Sequence, residues 1–277
     1  MYTKNDEWFQ KITSSLHAKV LHEGVLLPFF PPDQTQVNTT GQSGANTLWE
    51  AYIFYRDCSD VFFQHSPLFQ QVDKKLIDFG AGWGRILRFF LKDFRPDNLI
   101  GVDIDDKLLD ICRETFSWGT FLKSEAFPPL NIPDNSVDFL VGYSVFSHLS
   151  EEACLAWVKE FARVLKPGGM VGVTTRGIWF LDYCKSLQSQ NPQGYAKALS
   201  TLFPDFDLAK QKYDQGLFVH ANQSGVTGGG VLDGTFYGES FIPESYAKKA
   251  FAEYFEVLDF HFIPGQSSHP IIFMKKR

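Results

Sequence analysis

The stretch that decides the fold is Leu76–Leu87, which reads LIDFGAGWGRIL. Four residues of strand character run into glycines at alternate positions (Gly80, Gly82, Gly84), and a helical pattern of apolar residues follows. Strand, glycine turn and helix in this order are how an open α/β sheet brings bare backbone up to a nucleotide. Glycine suits such a turn because it adopts backbone angles that other residues resist, and because a Cβ would hold a ligand away. On its own, this pattern also fits a strand-to-helix turn that binds nothing.

The spacing of the glycines narrows the class of ligand. A dinucleotide fingerprint reads G-x-G-x-x-G, which would place its third glycine at Arg85. Here the third glycine comes one position early, at Gly84. This spacing counts against a nicotinamide- or flavin-dependent oxidoreductase.

Composition limits the remaining classes. The chain has 277 residues, of which 44% are hydrophobic and 21% charged, with a net charge of -6. This length allows one large domain with elaborations, or one domain with a small cap. Because no basic tract appears, a nucleic-acid partner is disfavoured.

The cysteines and the apolar runs indicate the compartment. Cys58, Cys112, Cys154 and Cys184 form no C-x-x-C pair and have no histidine at metal-ligand spacing, so we expect reduced core thiols and no metal site. The first residues contain no apolar region of the signal-peptide kind, and no apolar run approaches membrane-spanning length. We therefore expect a cytoplasmic protein without a membrane partner.

The chain is predicted to be organised in three parts. Residues 1–70 hold two predicted helices, at 7–20 and 48–63, and form either a helical layer on the sheet or a cap over a ligand pocket; the two are compatible. Residues 71–277 form the main domain, in which βα repeats imply a parallel sheet with right-handed crossovers. Within it, 178–240 break the alternation and read as a substrate-side insertion. The expected strands are 75–79, 98–104, 120–125, 137–143, 170–175, 256–262 and 270–274, and the expected helices 84–93, 105–116, 150–165 and 243–255.

Asp103 is the second signal for a ligand. It ends the second strand and lies 19 residues after Gly84, near the spacing of roughly 20 residues expected of a ribose-binding acid. A carboxylate at that strand tip can accept hydrogen bonds from both ribose hydroxyls. The alternative role, an N-cap for the next helix, better fits Asp105.

Two further motifs make a resemblance specific. Residues 132–140 read IPDNSVDFL and residues 163–169 read RVLKPGG. With the glycine turn and Asp103, these runs resemble, in order, the motifs of the class I, Rossmann-like S-adenosylmethionine-dependent methyltransferases. The resemblance implies an open, mostly parallel seven-stranded sheet in the order 3-2-1-4-5-7-6, with the last strand antiparallel and helices on both faces.

Residue roles follow from the resemblance position by position. Asp78 and the glycine turn should contact the methionine end of S-adenosylmethionine, and Asp103 should bind the ribose. Tyr143 should lie near the sulfonium, because an aromatic ring stabilises its positive charge. The residues implied to bind this cofactor are Asp78, Gly80, Ala81, Gly82, Gly84, Asp103, Ile104, Glu125, Ala126 and Tyr143.

The acceptor side carries weaker signals. His148 lies just beyond the fourth strand and is a candidate general base for a hydroxyl acceptor. The alternative is a histidine that contacts the cofactor or steadies the helix entry. Candidate substrate contacts are Arg85, Arg176, His220 and Glu239, whereas His261 and His269 are not expected to be catalytic.

The resemblance implies methyl transfer from S-adenosylmethionine, with S-adenosylhomocysteine as product and no metal. Residues 144–149 and 237–241 are similar to bacterial methyltransferases that accompany sugar- or natural-product-modifying enzymes, which suggests a small hydroxylated acceptor. Two alternatives stay open, a cofactor-binding regulator without transfer activity and, less favoured, the oxidoreductase. The oligomeric state is not indicated.

Overall fold

The computed structural model describes residues 2–223, 225–228 and 230–277. The α-helices in this part of the chain are α1 (Glu7–Ser14), α2 (Asp33–Thr40), α3 (Gly44–His65), α4 (Asp106–Thr115), α5 (Glu151–Val164), α6 (Ile178–Leu187), α7 (Gly194–Ser200), α8 (Phe206–Asp214) and α9 (Glu244–Ala250). The strands are β1 (Leu21–His22), β2 (Val25–Leu26), β3 (Leu76–Phe79), β4 (Leu99–Asp103), β5 (Thr120–Lys123), β6 (Val137–Gly142), β7 (Leu165–Thr174), β8 (Val219–Ala221), β9 (Glu239–Phe241), β10 (Phe255–His261) and β11 (Ile271–Lys276). Short 3₁₀ helices span Pro67–Gln70, Leu87–Lys92 and Pro96–Asn98.

Seven strands form the central sheet, in the order β10-β11-β7-β6-β3-β4-β5. The neighbours from β7 to β5 pair in parallel, whereas β11 is antiparallel to both β7 and β10. Numbered within the sheet alone, this order is 3-2-1-4-5-7-6 read from the other edge. The predicted fold class, strand order and antiparallel last strand are confirmed.

Each face of the sheet carries a hydrophobic core. On one face, α1, α3 and the segment from Ile86 to Phe94 pack together, and the Phe62 ring of α3 stacks on Phe139 of β6 with centroids 4.8 Å apart. On the other face, α5 and α9 pack against the strands, with the Phe161 ring 5.1 Å from that of Phe79. Four aromatic residues of α3 are buried because the helix lies between the sheet and α1, whereas Phe63 is exposed; the four are Tyr52, Phe54, Tyr55 and Phe62.

The helix α5 begins as its sequence predicts. The Ser150 hydroxyl accepts a hydrogen bond from the Ala153 amide at 3.3 Å, and Glu151 and Glu152 occupy the first turn. Both features stabilise the positive end of a helix.

The strand expected at 170–175 begins earlier than predicted. The chain enters β7 directly at Leu165, so 166–169, which lie between the expected helix and the expected strand, belong to the strand. A register shift opposite Val137 and Phe139 accommodates it, with Gly168 at φ 75°. The paired residues on either side are Leu165, opposite Val137, and Met170, opposite Phe139 and Lys275, so 166–169 form a bulge within the strand.

The α-helix expected at 84–93 is also wrong. A turn precedes a 3₁₀ helix at Leu87–Lys92, in which Leu87, Arg88, Phe89, Phe90 and Leu91 are all buried. The apolar pattern reflects burial on every side of this short segment, between the sheet and the N-terminal helices. The apolar periodicity of this segment therefore did not determine whether it forms an α-helix or a 3₁₀ helix.

The segment 178–240 folds into α6, α7, α8, β8 and the start of β9, around its own small core of Leu181, Leu199, Phe206 and Phe241. None of the helices in the described part of the chain is both long and apolar enough to cross a membrane. All four cysteines are buried and free, as predicted.

Candidate active site

A cavity of about 570 Å³ lies at the carboxyl ends of β3, β4, β5 and β6. Sites for small molecules commonly have roughly 300–1,000 Å³, and this edge of an open α/β sheet is where ligands bind. Residues 38–40 of α2 and described residues of 228–237 complete the wall. The cavity is therefore bounded by the sheet, the N-terminal helices and the segment before β9.

Ten of the predicted site residues come together in this wall. Asp78, Gly84, Arg176, His220 and Glu239 are not among its described lining residues. The ten are Gly80, Ala81, Gly82, Arg85, Asp103, Ile104, Glu125, Ala126, Tyr143 and His148.

The three glycines of the turn serve different purposes. All have positive φ, 79° at Gly80, 55° at Gly82 and 77° at Gly84. A Cβ at Gly80 would lie 2.3 Å from the Val145 side chain, and one at Gly84 would lie 2.3 Å from the Phe116 ring. At Gly82 a Cβ would meet no atom within 4 Å, because this residue faces open space. The expectation that all three keep a ligand path clear is therefore corrected: close packing of protein side chains requires two of them.

Asp103 binds the turn from the neighbouring strand. Its Oδ2 accepts a hydrogen bond from the Gly82 amide at 2.7 Å, and its Oδ1 accepts one from the Asp105 amide at 2.9 Å. Burial raises the pKa of this carboxyl above its ordinary value. A carboxylate oxygen can accept more than one hydrogen bond, so Asp103 can still bind ligand hydroxyls. The N-cap role falls to Asp105, as predicted, because its side chain accepts from the Lys107 amide at 2.9 Å.

Asp78 lies beneath the turn and does not reach the cavity. The residue is fully buried, and neither carboxylate oxygen makes a hydrogen bond to the described part of the chain. Burial, together with the nearby negative charge of Asp103, raises the pKa of Asp78 to about 7.

His148 is held in one tautomer. Its Nδ1 lies 2.7 Å from the carbonyl oxygen of Gly238, which can only accept, so Nδ1 carries the hydrogen. Its Nε2 lies 3.3 Å from the Ser144 hydroxyl, and its ring stacks on Tyr237 at a centroid distance of 4.8 Å. Burial lowers the pKa of His148, Arg176 adds to this shift, and Glu239 opposes it. Nε2 of the neutral ring therefore offers a lone pair beside the cavity.

Behind His148 lies a buried carboxylate, Glu239. Its Oε1 is 3.3 Å from His148 Nδ1 and accepts a short hydrogen bond from the Tyr195 hydroxyl, while its Oε2 accepts from Arg176 Nε at 2.9 Å. Arg176 Nη1 in turn lies 2.6 Å from His269 Nε2. A chain of polar groups thus runs from the cavity wall into the protein.

The same chain returns to the cavity through Tyr143. Its hydroxyl lies 3.3 Å from His269 Nδ1 and 2.6 Å from Ser268 Oγ. Ser268 donates to Glu50 at 2.9 Å, and Glu50 forms an ion pair of 2.8 Å with Arg85. His269 and Arg85 therefore hold other side chains in place.

Sequence reasoning missed several members of this arrangement. Ser144 adopts φ 58°, an uncommon conformation for a non-glycine residue, and Glu50, Tyr195 and Ser268 join the site from distant parts of the chain. No spacing rule links these positions, although the positive φ of Ser144 is the kind of strain found at functional sites. His220 lies outside the cavity wall, with its Nδ1 2.7 Å from the Ser240 hydroxyl.

Comparisons with known proteins show similarity to methyltransferases. Residues 76–169 match the family model described as a methyltransferase domain. An uncharacterised methyltransferase of Oceanobacillus iheyensis is 28% identical over 108 residues, which cover 38% of this chain and 48% of that protein. One of Schizosaccharomyces pombe is 32% identical over 107 residues, covering 35% of this chain and 38% of the relative. The matched region thus spans less than half of the length of these relatives.

One solved structure supports the fold over most of the chain. It is the magnesium protoporphyrin IX methyltransferase of Synechocystis with bound S-adenosylhomocysteine, which aligns with a TM-score of 0.52 at 12% identity. The alignment covers 88% of this chain and 94% of that one, and at this identity it shows the fold alone.

The sheet order and the family match together indicate a methyltransferase domain with a Rossmann-like α/β fold. Residues 76–169 are therefore similar to methyltransferase domains, and the sheet has the strand order implied by the resemblance to class I S-adenosylmethionine-dependent methyltransferases.

Proposed function

We propose that this protein transfers a methyl group from S-adenosylmethionine to a hydroxyl group of a small molecule, such as a sugar or a natural product. The observation that carries the proposal is that one cavity is lined both by the residues expected to bind the cofactor and by a candidate general base. The glycine turn and Asp103 form part of the wall, and His148, whose Nε2 carries no hydrogen, forms another part.

The cofactor half of the cavity fits an adenosyl ligand. Open space at Gly82 lets a ligand approach the backbone, and Asp103 retains lone pairs for ribose hydroxyls. Ile104, Glu125 and Ala126 continue the wall where the adenine would lie. Asp78 acts through the turn above it, because it has no surface in the cavity.

The acceptor half fits proton removal from a hydroxyl. S-adenosylmethionine, when bound, supplies a methyl group on a positively charged sulphur, so the acceptor oxygen forms a C–O bond as the C–S bond breaks and its electron pair stays on sulphur. His148 takes the hydroxyl proton at Nε2, which requires a neutral ring, and burial favours that form. Tyr143 presents an aromatic side chain to the same cavity. Alignment of the reacting atoms and exclusion of water supply most of the remaining acceleration.

The division of the chain follows from this proposal. Residues 1–70 act as a cap and 178–240 as the acceptor side of a domain over 71–277. Support comes from residues 38–40 of α2 and 230–232, which lie in the wall opposite the sheet. Arg85 orders this region through Glu50, and Arg176 and Glu239 act behind His148.

Calorimetry with S-adenosylhomocysteine tests the cofactor half. Asp103→Ala should weaken binding at least tenfold, about 1.4 kcal/mol, because the ribose loses its acceptor and the turn loses the Gly82 contact. Asp110→Ala, an exposed aspartate on α4, is the matched control and should bind as the unmodified chain does. Equal affinities of a folded Asp103→Ala variant and the control would refute the ribose role.

Transfer is measured with methyl-labelled S-adenosylmethionine and a panel of hydroxylated sugars and phenols. His148→Ala should lower turnover by roughly 10²–10⁴-fold, the contribution of a general base, while cofactor affinity stays nearly unchanged. Retained turnover would remove His148 as the base. Cofactor binding without label transfer to any acceptor would favour a regulatory role.

A further inference from the structure

Glu239 occupies an unusual position for a charged residue. It is fully buried at the start of β9, and its two oxygens contact His148, Arg176 and Tyr195. A buried carboxylate is costly unless it is paired and hydrogen-bonded. Glu239 has no surface in the cavity, so direct contact with an acceptor does not explain it.

The geometry relates Glu239 to His148 on the side away from the cavity. Nδ1 of His148 donates to the Gly238 carbonyl oxygen at 2.7 Å, and Oε1 of Glu239 lies 3.3 Å from the same nitrogen. The Nδ1–H is thus directed at the Gly238 carbonyl oxygen, and the Glu239 carboxylate lies beside the same nitrogen. When Nε2 takes a proton, the positive charge of the ring develops within contact distance of this carboxylate.

We propose that Glu239 is the positioning residue for His148: its carboxylate beside Nδ1 stabilises the imidazolium formed when Nε2 accepts the acceptor's proton. This inference rests on the proposed function, in which His148 is the general base. The proton moves from the acceptor hydroxyl to Nε2, while the electron pair of the O–H bond forms the new O–CH₃ bond. Glu239 exchanges no proton in this step.

The segment 178–240 holds the carboxylate in place. Tyr195 of α7 donates a short hydrogen bond to Oε1, the atom that faces His148. Arg176, just after β7, binds Oε2, and its guanidinium lies 4.2 Å from the centroid of the Phe180 ring. The insertion therefore contributes to the site through the orientation of Glu239.

Several other groups influence the charge of His148. Arg176 and His269 oppose its protonation, because each places positive charge nearby when protonated. His220 is close enough to affect it in the same way, and Tyr237 stacks on the ring as a neutral group. Among the described residues around His148, Glu239 is the anion whose charge favours the imidazolium.

NMR titration of ¹⁵N-labelled histidine side chains tests the proposal without an acceptor. The His148 signals, assigned with His148→Gln, should show the Nδ1–H tautomer in the neutral ring. In Glu239→Gln the pKa of His148 should fall by roughly one unit or more, because an adjacent opposite charge commonly shifts a pKa by 1–3 units. Glu239→Asp, which retains the charge, should recover part of the shift, and Glu152→Gln on the surface of α5 should leave the pKa unchanged.

Two results would overturn the inference. One is an unchanged pKa of His148 in folded Glu239→Gln. The other is an Nε2–H tautomer in the unmodified chain, and this measurement decides the matter if Glu239→Gln does not fold. Calorimetry with S-adenosylhomocysteine on the unmodified chain separates the two proposals. Absence of binding refutes the proposed function, whereas binding with an unchanged pKa refutes only the role of Glu239.

Discussion

Alanine at Gly82 should mainly weaken ligand binding, whereas alanine at Gly80 should mainly reduce the stability of the fold. At Gly82 the added Cβ meets open space, so the folded chain bears only the strain of a non-glycine residue at φ 55°. That conformation costs about 1–2 kcal/mol. At Gly80 the strain is similar, but the Cβ would also lie 2.3 Å from Val145 Cγ2. Overpacking of this kind adds about 1–3 kcal/mol.

Urea unfolding and calorimetry measure the two effects separately. Gly82→Ala should unfold at slightly lower urea but bind S-adenosylhomocysteine at least tenfold more weakly, about 1.4 kcal/mol, because its methyl group narrows the cavity. Gly80→Ala should lose about 2–5 kcal/mol of unfolding free energy. Truncation of Val145 to alanine provides a matched background, in which Gly80→Ala should cost only the backbone strain.

The reasoning fails if the two variants behave alike. Equal losses of unfolding free energy would mean that the space around Gly80 and Gly82 does not differ as described. Unchanged affinity of Gly82→Ala would mean that the ligand does not approach this part of the turn. A Gly80→Ala cost that persists in the Val145→Ala background would exclude the clash as its cause.

Two further predictions concern Asp78 and Ser144. The pKa of Asp78 is raised to about 7 by burial and by the charge of Asp103, so the folded state retains a proton that the unfolded chain releases near pH 4. The unfolding free energy of the ligand-free protein should therefore fall as pH rises from about 4 to about 7. Asp78→Asn should reduce that slope in urea titrations across this range; an equal slope in both chains would contradict the shifted pKa. At Ser144, with φ 58°, alanine should be less stable than glycine by about 1 kcal/mol, and thermal unfolding giving the reverse order would contradict the strain.

The meeting of the glycine turn and Asp103 at the cavity could be predicted because its signals are local. The strand, the glycine turn and Asp103 lie within one βαβ unit, where sequence spacing fixes spatial proximity. Ser150 and Asp105 were likewise predictable as helix caps, since a cap acts on amides two or three residues away. The winding at Leu87–Lys92 was not, because packing on all sides decided it.

The surroundings of His148 depend on contacts between residues that are far apart in the sequence. Glu239 meets Tyr195 from α7 and Arg176 from the end of β7, and each partner is more than 40 positions away in the chain. A lone glutamate in a strand carries no sign of such partners. The sequence marked Arg176, His220 and Glu239 as candidates by residue type, but only the folded chain shows which of them faces His148.

The N-terminal helices also determine the shape of the glycine turn. Trp83 donates to Thr39 at 3.0 Å, and Arg85 pairs with Glu50 at 2.8 Å. Arg88 is fully buried, donates to the Gly84 carbonyl oxygen at 3.1 Å, and lies 4.1 Å from the centroid of the Phe30 ring. Burial lowers its pKa to about 9, and in the described part of the chain its hydrogen bonds go to carbonyl oxygens.

These contacts concern the two roles considered for residues 1–70, a helical layer that packs on the sheet and a cap over a ligand pocket. The side chains that follow the turn are ordered by residues from the first 50 positions, which pack on the sheet and also line the cavity. Exposure of Arg88 to water would remove its aromatic contacts and free the carbonyl oxygen of Gly84, so the turn would lose its support. The same helices therefore stabilise the sheet and shape the ligand site, and a change in one function is expected to alter the other.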